Sequence, residues 1–528
     1  MSIIESAALV AYGTASLLLF AFGANLLWCS FVAWRRRATI DSFPNAPEPA
    51  ADSAASAVEH LPNVTIQLPI FNEPQVARRV IEACAAIDYP ADRLQIQVLD
   101  DSDDGSSASV AEVVADLARS STGPPVEHRR RPNRNGYKAG ALADGLETAT
   151  GEIVAVFDAD FVPPPDVLRR TVGAFADPEV AFVQGRWGHL NPTENLLTRL
   201  QVPAIDGHFL VEQQARGAGG HWFNFNGTAG LWRVSAIDDA GGWRADTLTE
   251  DLDLSYRAHL RGWRAVYRPD VLVPGELPAS MSAFRRQQHR WARGSMEVAR
   301  KLLRSVWRSP APFATKLQAS FHLLAYGVHL LLLTMVLTYP FVVAAADGGR
   351  IPSWAHWPAI APNAMTLAPV VFLITGQAVQ AGGLRGRRLA GAVAAAIVVG
   401  SGLMVNTARA VLDIALRPDP VFERTAKSGN ADRPTAGGIP IPVAATVQNE
   451  RTMPDPIVGI EAVVGLYSIG ACWFALSRGA WGIAFYAGLF GLGLLTVAVT
   501  SASAGRRSAG RRLHNGRLRR RASAGAER

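Results

Sequence analysis

Residues 155–165 read "AVFDADFVPPP". The apolar run has the composition of a buried strand, yet it ends on two carboxylates, Asp158 and Asp160. Burying an unpaired charge costs several kcal/mol, so carboxylates in such a place need an ion pair or a metal. The plainer reading is that the strand has finished and both aspartates open a solvated loop ahead of Pro163, Pro164 and Pro165.

The segments upstream repeat the pattern. "VTIQLPIFNEP" (64–74) is an apolar run ending in Asn72, Glu73 and Pro74, followed by a helical period to about Ile87. "RLQIQVLDDSDDGS" (93–106) is a second run ending in Asp100 and Asp101. A helix to about Arg119, a short strand near 126–131 and a helix from Lys138 then lead back to the strand that ends at Asp158. This βαβα order predicts a mostly parallel sheet covered on both faces. Ligands of such sheets sit beyond the carboxyl ends of the strands, where both acidic clusters fall, so the loop reading and the functional reading point to one place. Two carboxylates one residue apart suit a hard divalent cation that takes its other ligands from water and phosphate oxygens. No phosphate-cradling glycine loop or dinucleotide fingerprint follows any of these strands, which argues against kinase and dehydrogenase chemistry.

Two later stretches add candidates. "TLTEDLDLSYRAHLRGW" (247–263) sets Thr249, Glu250 and Asp251 at a helix start. Capping and dipole complementarity account for such residues in general; facing a cleft, one of the acids would instead serve as a general base. "FRRQQHRWARGSMEVARKLL" (284–303) is a basic helical stretch with Gln287, Arg290 and Trp291 on one face by i, i+3, i+4 spacing. A donor, a cation and an indole together suit a phosphate beside a stacking surface; arginines snorkelling at a bilayer give the same pattern.

The 528 residues are 49% hydrophobic, enough for a soluble domain plus membrane spans. Residues 7–33 carry no charge and precede Arg35, Arg36 and Arg37, which predicts a transmembrane helix with its C-terminal side in the cytoplasm. An Ala/Pro/Ser-rich linker (38–60) leads to one α/β domain, 61–307. Further spans are expected at about 318–346, 358–380, 456–476 and 482–502, five in all, pairing as 308–384 and 456–503. Residues 385–455 are expected to lie in the interface, because Asn406, Arg409, Asp413 and Arg417 share a helix face within 389–417. From Arg506 onward nine arginines and one glutamate make a basic cytoplasmic tail (504–528). That tail holds the net charge of +7, which points to anionic lipid rather than nucleic acid. Cys29, Cys84 and Cys472 have no pairing or zinc-binding spacing.

In this order and at these separations, "FNE", "DDS", "FDADF", "TEDLDLSYRAHLRGW" and "QQHRW" resemble the inverting family-2 glycosyltransferases of the GT-A fold, in particular the membrane-embedded synthases with a Q-x-x-R-W signature. "NRNGYKAGAL", "VQGRWGHLN" and "FNGTAGLWR" make the resemblance closest to cellulose-synthase-like mannan, glucomannan or xyloglucan-backbone synthases. The resemblance implies a GT-A-type α/β domain inserted between transmembrane helices of a multi-pass inner- or plasma-membrane protein, with the domain in the cytoplasm. It further implies that Asp101, Glu73 and Lys138 line the nucleotide pocket, and that Asp158 and Asp160 hold Mg²⁺ or Mn²⁺ and the donor diphosphate. Asp251, beside Glu250, would deprotonate the acceptor hydroxyl, and Gln287, Arg290 and Trp291 would hold diphosphate and acceptor sugar. Among Trp187, Trp222, Trp232, Trp243 and Trp291, only Trp291 is expected to face the acceptor. "FERTAKSG" (422–429) resembles a gating loop, with Arg424 in place of a valine. The expected partners are a nucleotide-sugar donor (UDP-glucose or GDP-mannose), a growing β-glycan and membrane lipid, with room for an export subunit and none for nucleic acid. Transfer of one sugar to a lipid, or a catalytically dead scaffold, are the alternatives.

Overall fold

The computed structural model describes residues 2–37, 61–119, 123–351, 367–380, 382–416 and 456–526, the last in side-chain detail to residue 503. The linker and the "FERTAKSG" segment lie outside the described residues.

Seven strands form one sheet in the order β3-β2-β1-β4-β6-β5-β7: β1 (Val64–Ile70), β2 (Leu94–Asp100), β3 (Val126–Arg129), β4 (Ile153–Val156), β5 (Val180–His189), β6 (Gly230–Arg233) and β7 (Arg264–Gly275). The first four are parallel as expected. Strand β6 is antiparallel to both β4 and β5, and β7 returns parallel to β5. The sheet is therefore mixed but mostly parallel.

The strands β1 and β2 look half-exposed by their alternation, with Thr65, Gln67, Gln95 and Gln97 on one face, yet all four are buried. They satisfy one another instead of water: Thr65 Oγ1 donates to Gln95 Oε1 at 2.8 Å and Gln67 Nε2 to Gln97 Oε1 at 3.1 Å. The other face packs Val64, Ile66, Leu68, Ile96 and Val98 into the main core with helix α2 (Pro74–Ala85) and helix α3 (Ser107–Arg119). Helix α4 (Tyr137–Leu146) covers the polar face, so closely that Gly145 has no room for a methyl group beside Gln67 Nε2.

The apolar helices surround this domain. Helix α1 (Ile3–Arg35) precedes it. After α5 (Leu196–Gly207), α6 (Glu250–Leu260) and α7 (Met281–Arg308) come α8 (Phe313–Leu323), α9 (Val328–Asp347), α10 (Ala368–Ala378), α11 (Gly386–Gly402), α12 (Met404–Leu416), α13 (Ile457–Ser477) and α14 (Trp481–Ala526). Four helices among the described residues are long and apolar enough to cross a bilayer: Ile3–Arg35, Ala325–Asp347, Ile457–Ser477 and Trp481–Ser503.

Three expectations about the apolar helices change. The span expected from 318 begins at Ala325, because α8 is a separate helix whose Ala319 and Leu323 pack on Val298 and Leu302 of α7. The run at 358–380 is described only from 367, where α10 takes up 11 residues; residues 358–366 lie outside the described residues. Among the described residues, a count of five is reached only if α11 and α12, bent by 42°, form one broken crossing. The polar face of α12 packs largely on α7: Asn406 and Asp413 are buried, Asn406 Nδ2 donates to the Arg285 carbonyl, and Asp413 pairs with His289 at 3.4 Å, while Arg409 stays partly exposed.

Candidate active site

The carboxyl ends of β1, β2 and β4 and the starts of α6 and α7 converge on a cavity of about 190 Å³. Glu73, Asp101, Lys138, Asp158, Asp160, Glu250, Asp251, Gln287, Arg290 and Trp291 all line it. Residues separated by more than 200 positions in the chain are thus side by side in space.

The two neighbouring acids at the end of β2 diverge. Asp100 turns into the domain, where His128 Nε2 at 2.9 Å and the Ser102 amide at 2.9 Å hold it. Burial would raise its pKa, but these hydrogen bonds outweigh burial and keep it well below the usual carboxylate range. Asp101 faces the cavity, gripped by Arg131 through Nε at 2.7 Å and NH2 at 2.6 Å. The neighbouring Arg134 lies 3.3 Å over the Phe71 ring at the same mouth.

Lys138 stands at the start of α4, after a turn in which Gly136 and Tyr137 both take positive φ. Its Nζ reaches Asp158 Oδ1 at 2.5 Å, the Gly227 carbonyl at 2.8 Å and Glu250 Oε1 at 3.9 Å. Burial alone would lower its pKa, but these carboxylates reverse the direction and keep it an ammonium. The answer to the opening stretch is therefore concrete: one of its two aspartates already pairs with a half-buried cation.

Asp251 occupies the first turn of α6. Burial, reinforced by Glu250 and opposed by Lys138, raises its carboxyl from 3.8 to about 7. Thr249 makes no cap hydrogen bond through its side chain, and Asp251 Oδ1 itself accepts the Leu252 amide at 2.8 Å. Gly227 packs against the acid at a φ of 81°, and a methyl group there would lie 2.9 Å from Asp251 Oδ2. From the other side, Gly294 of α7 meets Thr249 so closely that a methyl group would lie 2.5 Å from Thr249 Cγ2. Glu297 of α7 accepts the Leu248 amide at 2.9 Å. Helix α7 thus fixes the turn that carries Asp251 while presenting Gln287, Arg290 and Trp291 to the cavity.

Asp158 and Asp160 supply oxygen ligands only, and among the described residues no group of three His, Cys, Asp or Glu side chains gathers for an all-protein metal site. Two carboxylates with the remaining positions left to phosphate and water fit a hard divalent ion.

Arg134, His189 and Glu276 were not among the sequence candidates; Asn226 belongs to the "FNGTAG" stretch (225–230) that the resemblance sets where acceptor meets donor, and Trp187, expected away from the acceptor, also lines the cavity. Trp187 joins Trp291 at the cavity, their rings 6.3 Å apart, whereas Trp232 and Trp243 are core and Trp222 stacks on His259. The rule that ligands sit beyond strand ends, applied to β5 and β7, reaches His189 and Glu276.

Residues 62–294 match the model of a family described as "Glycosyltransferase like family 2". This stretch is similar to family-2 glycosyltransferase domains. The chain is 44% identical over 266 residues to glucomannan 4-beta-mannosyltransferase 2 of Arabidopsis thaliana, covering 50% of each chain. It is 43% identical over 278 residues to glucomannan 4-beta-mannosyltransferase 1 of Oryza sativa subsp. japonica, covering 52% of each. The chain therefore spans about half the length of the curated relatives it matches. Among solved structures, the mannosyltransferase PcManGT from Pyrobaculum calidifontis, in complex with GDP-Man and Mn²⁺, matches at 24% identity with a TM-score of 0.44, over 68% of this chain and 97% of that one.

Proposed function

We propose that the protein is a membrane-embedded hexosyltransferase that extends a β-linked glycan from a nucleotide sugar, with inversion. The observation that carries this reading is the cavity that Asp251, with its pKa raised to about 7, lines together with Asp158, Asp160, Arg290 and Trp291. An acceptor hydroxyl gives its proton to Asp251 as its oxygen bonds to the anomeric carbon; the bond from that carbon to the diphosphate breaks, and the nucleoside diphosphate leaves. Asp158 and Asp160 would hold Mg²⁺ or Mn²⁺, which neutralises charge on the leaving diphosphate. Arg290 adds a fixed positive charge on that side, Lys138 keeps Asp158 in place, and Trp291 offers a ring face to the acceptor. Asp101 and Glu73 line the nucleotide end beside Arg134.

The relatives' names make mannose the first donor sugar to test, ahead of glucose. The domain is placed on the cytoplasmic side with the basic tail beside it, which requires the bent pair α11–α12 to count as one crossing. The decisive experiment supplies purified full-length protein with GDP-mannose, UDP-glucose and other donors, each with Mg²⁺ or Mn²⁺, and digests the product with linkage-specific glycosidases. Alkali-insoluble product sensitive to β-mannanase is expected; label recovered only in the organic phase contradicts a polymer.

A further inference from the structure

The nucleotide end of the cavity lies at β1 and β2, but its far wall is built by the end of β5, three strands away across the sheet. Trp187 and His189 line it together with Gln287 and Trp291 of α7, the two indole rings lying side by side at 6.3 Å. His189 is rigidly held: its Nε2 meets Asp206 Oδ1 at 2.9 Å. The other Asp206 oxygen accepts from Gln377 Nε2 at 2.7 Å and Gln380 Nε2 at 2.9 Å, at the end of apolar helix α10. Asp206 and Gln377 are buried, so this arrangement is built into the interior and ties the cavity wall to the apolar helices.

Within this wall, Trp187 Nε1, His189 Nδ1 and Gln287 Oε1 are buried and have no hydrogen-bond partner among the described residues. Buried polar atoms are nearly always paired, so three such atoms on side chains lining one cavity mark where a ligand's polar groups belong. Their chemistry is specific. The Asp206 carboxylate accepts a hydrogen bond from His189 Nε2–H, which in the neutral ring leaves Nδ1 a lone-pair acceptor; Gln287 Oε1 also accepts, and the Trp187 indole donates. Two acceptors and one donor beside two indole rings match a pyranose, whose hydroxyls do both and whose C–H face packs on aromatic rings.

We propose that the β5 wall is a subsite for an acceptor pyranose, with His189, positioned by Asp206, reading one of its hydroxyls. The assignment rests on the transferase reading above for calling that sugar the acceptor, and on topology for separating it from the donor. The subsite commits the protein to a carbohydrate acceptor at this wall.

The test uses full-length protein in detergent, with β-1,4-mannohexaose as the acceptor probe. His189→Ala and Trp187→Phe, the latter keeping a ring but losing the N–H, are each expected to raise the acceptor KM about tenfold, the scale of one lost hydrogen bond to a ligand. Donor KM and the thermal midpoint stay near the parent values. Asp206→Asn presents an amide donor to Nε2, turns Nδ1 into a donor, and is expected to weaken the acceptor in the same way. An unchanged acceptor KM, or equal rises for donor and acceptor, overturns the proposal. Direct binding of mannohexaose without donor separates the two readings. A parent protein that transfers no sugar yet binds mannohexaose, with binding weakened in His189→Ala, defeats the transferase reading and keeps the subsite. A parent that transfers sugar but binds no mannohexaose does the reverse.

Discussion

At the scale of single residues, the proposed mechanism turns on Asp251. Its carboxyl titrates near 7 because burial and Glu250 outweigh Lys138, so kcat/KM is expected to fall about tenfold per pH unit below that point as the base takes up a proton. A pH–rate profile of the free enzyme checks this, and a flat profile down to about pH 5 would assign the base elsewhere. The same shift sets stability. Between 3.8 and about 7 the folded chain keeps a proton that the unfolded chain has lost, so stability drops as pH rises through this window. Asp251→Asn has no such loss and is expected to melt at a higher temperature than the parent at pH 8, with the gap closing toward pH 4. The acids were legible in the sequence because a strand that ends on a carboxylate announces itself. Trp187 and His189 were not: β5 runs on without interruption, and that its end reaches the cavity depends on pairing with β7, about 80 residues later in the chain.

At the scale of elements, helix α7 is the part that joins the catalytic turn to the membrane helices. Its Gly294 faces Thr249, its Glu297 accepts the Leu248 amide, and its Arg285 lies 3.2 Å from Glu461 of α13. Gly294→Val would push α7 away from the turn that carries Asp251. Overpacking of this kind costs about 1–3 kcal/mol, so the variant should remain folded by circular dichroism while losing most transfer activity; wild-type turnover would mean that the turn is not held from this side. The order of the first strands and helices followed from periodicity and turn residues. Strand β6, only four residues long, carries no pattern of its own, and its antiparallel placement between β4 and β5 depends on contacts across the sheet. The polar face of α12 was legible as a face, but its partner, α7, lies more than 100 residues away in sequence and shows only in three dimensions.

At the scale of the whole molecule, hydropathy located the long helices but not their ends. The packing of α8 under α7 moves the start of one span to Ala325, and the short α10 removes another from the described residues. If α11 and α12 make one crossing, the basic tail and the glycosyltransferase domain share a side. Ser508→Cys and Glu147→Cys, in a Cys472→Ser background where Cys29 and Cys84 are buried, should then react with an impermeant maleimide from the same side of sealed vesicles; labelling from opposite sides would leave four crossings. What the helices serve is the cavity, and the claim that matters most is that Asp251 moves the proton while its neighbours hold the donor. The most direct measurement compares Asp251→Asn with the parent in the same membranes, for sugar transfer and for nucleotide-sugar binding. The account predicts binding near the parent value and transfer lowered about 10²–10⁴-fold, the usual worth of a general base. Transfer that persists within about tenfold of the parent would contradict it.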